Sequence, residues 1–266
     1  MQLRGDELAG FIKEQQARMV RSLQYTGKKP KLAVVVNNKE VVSSKYISFK
    51  GKYGEDIGVS VERHDVGAEE LNSVIATLNE DEAVHGVIVQ LPLADDADTE
   101  VVLNSVAPGK DVDGLGEGAE FTPATPTAIL WLLSGHGIEL SGKNVGVIGR
   151  GRLVGAPLLK MLEESGHNPK WCDKEEGSIE QVMAESDIVI SATGSPGLIT
   201  EDMVLPGQVI IDAGTTSSGG SLIGDVESSL YDRDDIKVSP VPGGVGPLTV
   251  CALFGNLIEA FKRQVD

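Results

Sequence analysis

Short apolar runs alternate with longer amphipathic stretches along most of the chain. KLAVVVN (31–37), SVERHDV (60–66) and GVIVQLP (86–92) read as buried strands. Between them, Leu8, Phe11, Ile12, Met19 and Val20 fall at helical spacing within residues 4–25, and further helices are expected over about Val42–Asp56 and 68–80. ADDADTE (94–100) opens another helical stretch with acidic residues. ATPTAILWLLSGHG (124–137) reads as a helix with Pro126 near its first turn and Gly135 or Gly137 past its end. NVGVIG (144–149) starts a second series of strands: a helix to about Glu164, then KWCD (170–173), DIVISAT (187–193), VIIDAG (209–214) and KVSP (237–240). A last helix is expected over about 249–264. Such alternation implies mostly parallel sheets covered on both faces, an α/β fold. The polar, Gly-rich PGKDVDGLGEG (108–118) reads as the exit from a first domain. The expected organisation is therefore an N-terminal α/β domain over 1–120 and a Rossmann-type domain over 121–247.

Composition narrows the function classes. The 266 residues are 41% apolar, which suits one large or two modest domains, each able to bury a core. Aromatics make up 4% and the formal net charge is −17, which argues against a nucleic-acid or anionic-membrane surface. Cys172 and Cys251 fit no CxxC pattern, so a reduced, cytoplasmic setting is the default. The four histidines show no metal-ligand spacing, and no metal site is expected. The start has no apolar leader, and no run of about 18 apolar residues suggests a membrane span.

Gly149-Arg150-Gly151 followed by Gly155 lies between a predicted strand and a predicted helix, a GxGxxxG spacing. Glycines there let a turn approach a pyrophosphate, and the helix N-terminus favours negative charge; the plain alternative is a tight structural turn. At the end of the next strand, Asp173 suits a ribose 2′-hydroxyl and hence NAD, whereas Arg150 and Lys174 suit a 2′-phosphate and hence NADP. A solvated strand-end charge is the third reading of Asp173. Tyr46 and Lys50 are four apart on one helix face: a reactive pair, or an ordinary amphipathic face with a snorkelling lysine. Gln90 ends a strand, where polar groups line ligand crevices or cap the element. Asp111 and Asp113 stand in a glycine-bounded loop, as turn-formers or with one carboxylate gripping a ligand. PVPGGVGP (240–247) is stiffened by proline and opened by glycine just ahead of the last helix, either a strand-to-helix connection or a place where a ligand meets bare backbone.

Taken in order, these segments resemble the bifunctional methylenetetrahydrofolate dehydrogenase/methenyltetrahydrofolate cyclohydrolase family along nearly the whole chain. The resemblance rests on Ser43 with Tyr46-Ile-Ser-Phe-Lys50, on Val89-Gln-Leu-Pro-Leu93, and on Lys110-Asp-Val-Asp-Gly114. It continues through Thr125-Pro126, Gly149-Arg150, Val154-Gly155, Pro157, Gly194 with Pro196, Ile211-Asp212, Gly214, Gly224-Asp225-Val226 and Pro240–Pro247. The chain departs from the family pattern at Ala94, Ala124, Ala128, Gly151, Asp173, Thr215, Thr216 and Leu248, mostly around the cofactor positions.

The resemblance implies NADP-dependent oxidation of 5,10-methylenetetrahydrofolate to the methenyl form, then hydrolysis to 10-formyltetrahydrofolate, in a cleft between the two domains. It implies Lys50 as the catalytic residue of the hydrolysis, Tyr46 stacking on the folate, Gln90 tuning Lys50, and Asp113 holding the pterin N–H groups. Pro92, Gly243 and Gly244 would complete the substrate site. Gly149, Arg150, Gly151, Val154, Gly155, Asp173, Lys174, Gly194 and Thr215 would hold the cofactor, with NADP favoured and NAD possible. A homodimer is implied as well, and the last helix is expected to return to the first domain. A free lysine is nearly all protonated at neutral pH; Lys50 acts as a base only if desolvated, and protonated it could donate to a departing ring nitrogen. Two other readings stand beside this one: a different small-molecule dehydrogenase of shikimate type, and a non-catalytic binding protein on the same fold.

Overall fold

A computed structural model of the chain describes residues 1–38, 45–94, 98–218 and 221–265; the side chains of Gln24, Thr26, Lys45, Tyr46, Ser217, Ser218 and Ser221 lie outside the described set. The chain divides into two compact units. One comprises Phe11–Ala124 with Val250–Asp266, the other Met1–Gly10 with Thr125–Thr249.

The unit containing residues 11–124 is built on β1 (Lys31–Val36), β2 (Ser60–Asp65) and β3 (Gly86–Val89), all parallel in the order β2-β1-β3. Helix α1 (Asp6–Ser22) precedes β1, α2 (Lys45–Ile57) and α3 (Leu71–Glu80) form the crossovers, and α4 (Thr99–Asn104) follows. Central β1 is buried from Leu32 to Val36, which explains its unbroken β-branched run. Beside β3, the loop at 110–114 runs alongside as a short extra strand, with Val87 N donating to Lys110 O and Asp111 paired to Val87. Gly86 makes room for this: a Cβ there would meet Leu257 Cδ1 at 2.7 Å and Val112 Cγ1 at 2.8 Å.

One expectation about α1 fails. Phe11 shares the helical spacing of its apolar neighbours, yet it is 71% exposed. The buried face is carried instead by Ala9, Gln16, Ala17 and Val20, and Phe11 projects from the opposite side. Gln16 is buried because its amide is used: Nε2 donates to Cys251 O and Oε1 accepts from the Tyr53 hydroxyl.

The other unit holds β4 (Val145–Ile148), β5 (Lys170–Cys172), β6 (Ile188–Ser191), β7 (Val209–Asp212) and, past the antiparallel hairpin β8 (Thr216–Ser218) and β9 (Ser221–Ile223), β10 (Lys237–Val238). The five-stranded sheet is parallel with order β10-β7-β6-β4-β5. Helices α5 (Ala124–Gly135), α6 (Gly155–Glu164) and α7 (Ile179–Glu185) accompany it. The short hairpin has no counterpart in the sequence reading, because Thr-, Ser- and Gly-rich segments of this length carry no apolar period. Met1–Gly10 groups with this unit through backbone bonds: Leu3 N donates to Val238 O, Val238 N to Met1 O and Gly5 N to Gly243 O.

Helix α8 (Val245–Val265) begins four residues before the expected start at 249, taking in Gly246 and Pro247. Proline is tolerated in the first turn, where its missing N–H has no partner to lose. This helix is long and apolar enough to cross a membrane by length and composition, but most of it is buried inside the protein. Phe254 and Phe261 are fully buried, and Phe254 packs against Tyr53 with ring centroids 4.8 Å apart. Asn256 Nδ2 donates to both Val112 O and Thr122 O at 2.9 Å, pinning the two ends of the 112–122 loop. Asn256→Ala removes both bonds and is expected to destabilise the protein by about 1–3 kcal/mol, measured as the shift in a urea unfolding midpoint.

Candidate functional site

Two groups of side chains collect at the C-terminal ends of the parallel strands, one in each unit. The first is organised by β1 and β3. The chain leaves β1 towards β2 on one side and returns to β3 on the other, so the crevice rule for open α/β sheets points to the β1/β3 junction. Gln90 directly follows β3. Lys50 reaches the junction from α2, and Asp113 from the loop paired alongside β3.

Lys50 is 8% exposed, and its Nζ donates to Gln90 Oε1 at 3.1 Å. The Gln90 amide is held from its other end, Nε2 donating to Leu91 O at 3.1 Å. Burial pulls the Lys50 ammonium below its ordinary range, and the negative charge of Asp113 opposes this. Burial pushes the Asp113 carboxyl up, with Lys50 opposing in turn. The amine and the carboxyl therefore share one poorly solvated site, in which each favours the other's charged form.

The structure separates the two aspartates of the loop by task. Asp111 is the turn-former: Oδ1 accepts from Gly114 N, and Oδ2 accepts from Leu115 N and Gly116 N. Its carboxyl is pushed up by burial and partly brought back by those N–H groups, Gly116 N–H foremost. Gly114 has φ +70°, and a Cβ there would meet Phe121 O at 2.6 Å, so the tight turn requires glycine. Asp113 acts on Lys50 through its charge, and among the described residues its carboxylate accepts no hydrogen bond. Pro92 is exposed just beyond Gln90. The Tyr46 side chain and Ser43 lie outside the described residues.

The second group surrounds the β4/β6 junction of the five-stranded sheet, where the strand order again reverses. Gly149 follows β4 with φ +92°, and its N–H donates to Cys172 O. A Cβ on Gly155 would overlap Gly149 O, so α6 starts hard against the turn; a Cβ on Gly151 would meet nothing. Val154 is half-buried at the helix entry. Gly149 and Gly155 thus make a bare-backbone cradle at the N-terminus of a ten-residue helix, which fits a pyrophosphate. Arg150 is exposed and stacks on Trp171, its Cζ 4.4 Å from the ring centroid. The sequence reading missed Trp171; an aromatic on the second strand, across from a turn arginine, was the available signal.

Asp173 is committed to its own turn. Its Oδ1 accepts from Glu175 N and Glu176 N, and these two bonds, more than Arg150, hold its carboxyl below the usual range. Lys174 beside it is exposed. Gly194 is exposed at φ +67°, with its carbonyl accepting from Thr216 Oγ1; Thr215 is exposed beyond β7. Gly243 and Gly244 belong to this unit. Gly243 has φ +103°, and Gly244 N donates to Pro240 O, closing the PVPGGVGP turn. Beneath these loops lie Asp212 and Asp225, both buried. Burial pushes the Asp212 carboxyl up to about 7 against the pull of the Val226 and Asp225 N–H groups.

Comparison with known proteins follows the same division. The model of the tetrahydrofolate dehydrogenase/cyclohydrolase catalytic domain matches residues 3–113, and that of the corresponding NAD(P)-binding domain matches residues 123–265. The bifunctional protein FolD of Desulforamulus reducens is 35% identical over 276 residues, covering 99% of this chain and 97% of that protein. The crystal structure of Trypanosoma brucei N5,N10-methylenetetrahydrofolate dehydrogenase-cyclohydrolase, complexed with NADP cofactor and inhibitor, is 32% identical with a TM-score of 0.91. It covers 100% of this chain and 98% of that one. Shikimate 5-dehydrogenase of Thermus thermophilus is 17% identical over 88% of this chain and 99% of that one, with a TM-score of 0.56; that likeness is one of fold alone.

Two outcomes follow from this geometry. Gly155→Ala is expected to cost about 3 kcal/mol through backbone overlap and to abolish nucleotide binding, whereas Gly151→Ala stays within about 0.5 kcal/mol of the parent; thermal unfolding reads both. Because Asp113 raises the Lys50 pKa against burial, Asp113→Asn removes that support. The midpoint of the Lys50 Nζ titration, followed by NMR, is expected to move to lower pH; an unmoved midpoint would disprove the coupling.

Proposed function

The chain belongs to the tetrahydrofolate dehydrogenase/cyclohydrolase family, and from that premise we propose that it oxidises 5,10-methylenetetrahydrofolate to the 5,10-methenyl form with NADP and hydrolyses that product to 10-formyltetrahydrofolate. The observation that carries this reading is the desolvated Lys50 bonded to Gln90 and coupled to the charge of Asp113, within the segment matched by the family's catalytic domain. A shikimate-type enzyme shares the fold without the sequence match.

The folate chemistry falls to the unit holding Lys50, and cofactor binding to the unit holding Gly149. NADP held at the Gly149–Gly155 turn would supply the hydride acceptor for oxidation of the methylene carbon, chemistry that needs no protein acid or base. For this chain the work is therefore positioning. Asp113, with both oxygens open, accepts N–H groups of the pterin ring and fixes its orientation. Tyr46 stacks on the ring, and Pro92 lines the substrate. Gly149, Gly151, Val154 and Gly155 receive the pyrophosphate, with Gly194 and Thr215 at the neighbouring loops. Arg150, steadied on Trp171, and Lys174 offer cations to the 2′-phosphate, while Asp173 is engaged in closing its own turn. These features support NADP over NAD.

In the hydrolytic step, Lys50 is the base. Burial raises its share of neutral amine at neutral pH, and Gln90 Oε1 holds an Nζ hydrogen so that the lone pair is directed away from it. The amine takes a proton from the water that attacks the methenyl carbon. The resulting ammonium is stabilised by Asp113 and by Gln90. It then returns that proton to ring nitrogen N5 as the C–N5 bond breaks, and the adduct's hydroxyl proton leaves to water, so the formyl group stays on N10 with one proton released.

We further infer a homodimer working in the cytoplasm in one-carbon metabolism, with tetrahydrofolate derivatives as its small-molecule partners. The charge of −17 supports the absence of nucleic-acid or anionic-membrane partners.

Lys50→Met is expected to abolish hydrolysis of added methenyltetrahydrofolate while retaining measurable NADP reduction. A variant that hydrolyses at the parent rate would overturn the assignment of Lys50. Arg150→Ala is expected to raise the KM for NADP by about tenfold or more, equivalent to about 1.4 kcal/mol, with a much smaller change for NAD; steady-state kinetics with the two cofactors in parallel decides it.

A further inference from the structure

Asp212 and Asp225 are 1% and 0% exposed at the C-terminal edge of the five-stranded sheet. Neither is accounted for by the chemistry above. Asp212 ends β7, and Asp225 follows the β8–β9 hairpin. Their partners form an interlocked set. Asp225 Oδ2 accepts from Ser191 Oγ and Thr193 N at 2.7 Å each, and Oδ1 accepts from Ser195 N at 2.8 Å. Asp212 Oδ1 accepts from Gly214 N and from Asp225 N itself at 3.0 Å, and Oδ2 accepts from Val226 N at 2.9 Å. Asp212 N in turn donates to Ser239 Oγ at 2.8 Å, tying β7 to the segment after β10.

Two glycines exist to admit these carboxylates. A Cβ on Gly214 would overlap the Asp225 carboxylate, and a Cβ on Gly224 would overlap that of Asp212. The direction of the bonds matters. Among the described residues, every hydrogen bond to the Asp225 carboxylate comes from a donor, and two of the three are backbone N–H groups of the loop that leaves β6. That loop, with the glycine turn after β4, flanks the β4/β6 reversal where α/β sheets take nucleotides.

We propose that Asp225, seated by Asp212, is a positioning residue for the nicotinamide nucleotide: it fixes the backbone of Thr193–Ser195 so that the loop after β6 is preorganised for the cofactor. This rests on the cofactor reading given under the proposed function. A carboxylate is required for the task. In Asp225→Asn, one amide position must present N–H to either Thr193 N–H or Ser195 N–H, so one loop bond is replaced by a donor–donor clash whichever way the amide turns.

The test uses the full-length protein and NADPH itself, whose fluorescence reports binding without turnover. Asp225→Asn is expected to weaken NADPH binding by tenfold or more and to raise the KM for NADP by a larger factor than it lowers kcat. Hydrolysis of added methenyltetrahydrofolate, which draws on Lys50 in the other unit, is expected to stay within twofold. Ser191→Ala, which deletes one donor and leaves both loop N–H bonds, is the milder variant should Asp225→Asn fail to fold, and is expected to weaken NADPH binding two- to fivefold. Parent-like NADPH affinity in either folded variant would overturn the inference, as would an equal fall in both activities, which marks a purely structural staple. If the unaltered protein does not bind NADPH while it hydrolyses methenyltetrahydrofolate, the cofactor reading itself fails and this inference with it.

Discussion

Carboxylates buried at the ends of parallel strands, each gathering several loop N–H groups, are the constraint on which both sites depend. Taking a carboxylate out of water costs several kcal/mol even after relaxation. A hydrogen bond to a charged group returns about 1.5–3 kcal/mol, so a carboxylate with three donors roughly offsets its own burial. Asp111, Asp212 and Asp225 each have three. Loops that would otherwise carry unsatisfied N–H groups are drawn onto these anions and lose their freedom. Glycine recurs beside them, at Gly114, Gly214 and Gly224, because the backbone must come too close for a Cβ.

The same desolvation that makes such anions expensive shifts the Lys50 amine. Among the described residues, Lys50 is buried with Gln90 as its one direct hydrogen-bond partner and with the charge of Asp113 as its counterweight. Burial favours the neutral amine and Asp113 favours the ammonium. Burial lowers the Lys50 pKa and so raises its share of neutral amine over that of an exposed lysine, while Asp113 limits the shift. Asp111 makes this possible from behind: by saturating itself with loop N–H groups, it leaves Asp113 to serve the site.

The cofactor region shows how one short motif acquires different meanings. Gly151 and Gly155 look alike in the GxGxxxG run. Only Gly155 is demanded by packing, since its neighbour is a fixed backbone carbonyl, while Gly151 faces open space. Asp173 reads on paper as a ribose ligand, a phosphate-repelling charge or a solvated strand end. In the fold its Oδ1 is spent on two backbone N–H groups. Arg150 reads as a cation suited to a 2′-phosphate, and the fold lays it on the face of Trp171.

The local chain determined the elements themselves, because period and turn chemistry act over a few residues. The short apolar runs at 31–36, 86–89, 145–148, 188–191 and 209–212 are the strands their pattern predicts, and the ordered motifs around Lys50, Gln90, Asp113 and Gly149 sufficed to assign the family. Tertiary structure decided which of two equivalent aspartates turns the loop and which acts on the lysine. It decided that Phe11 is exposed while Gln16 is buried, and that Asp212 and Asp225 interlock across a hairpin with no periodic signature. Those outcomes depend on which donors, acceptors and backbone segments meet across long sequence separations, such as Asn256 with Val112 or Asp225 with Ser191. No local window of the sequence contains both partners.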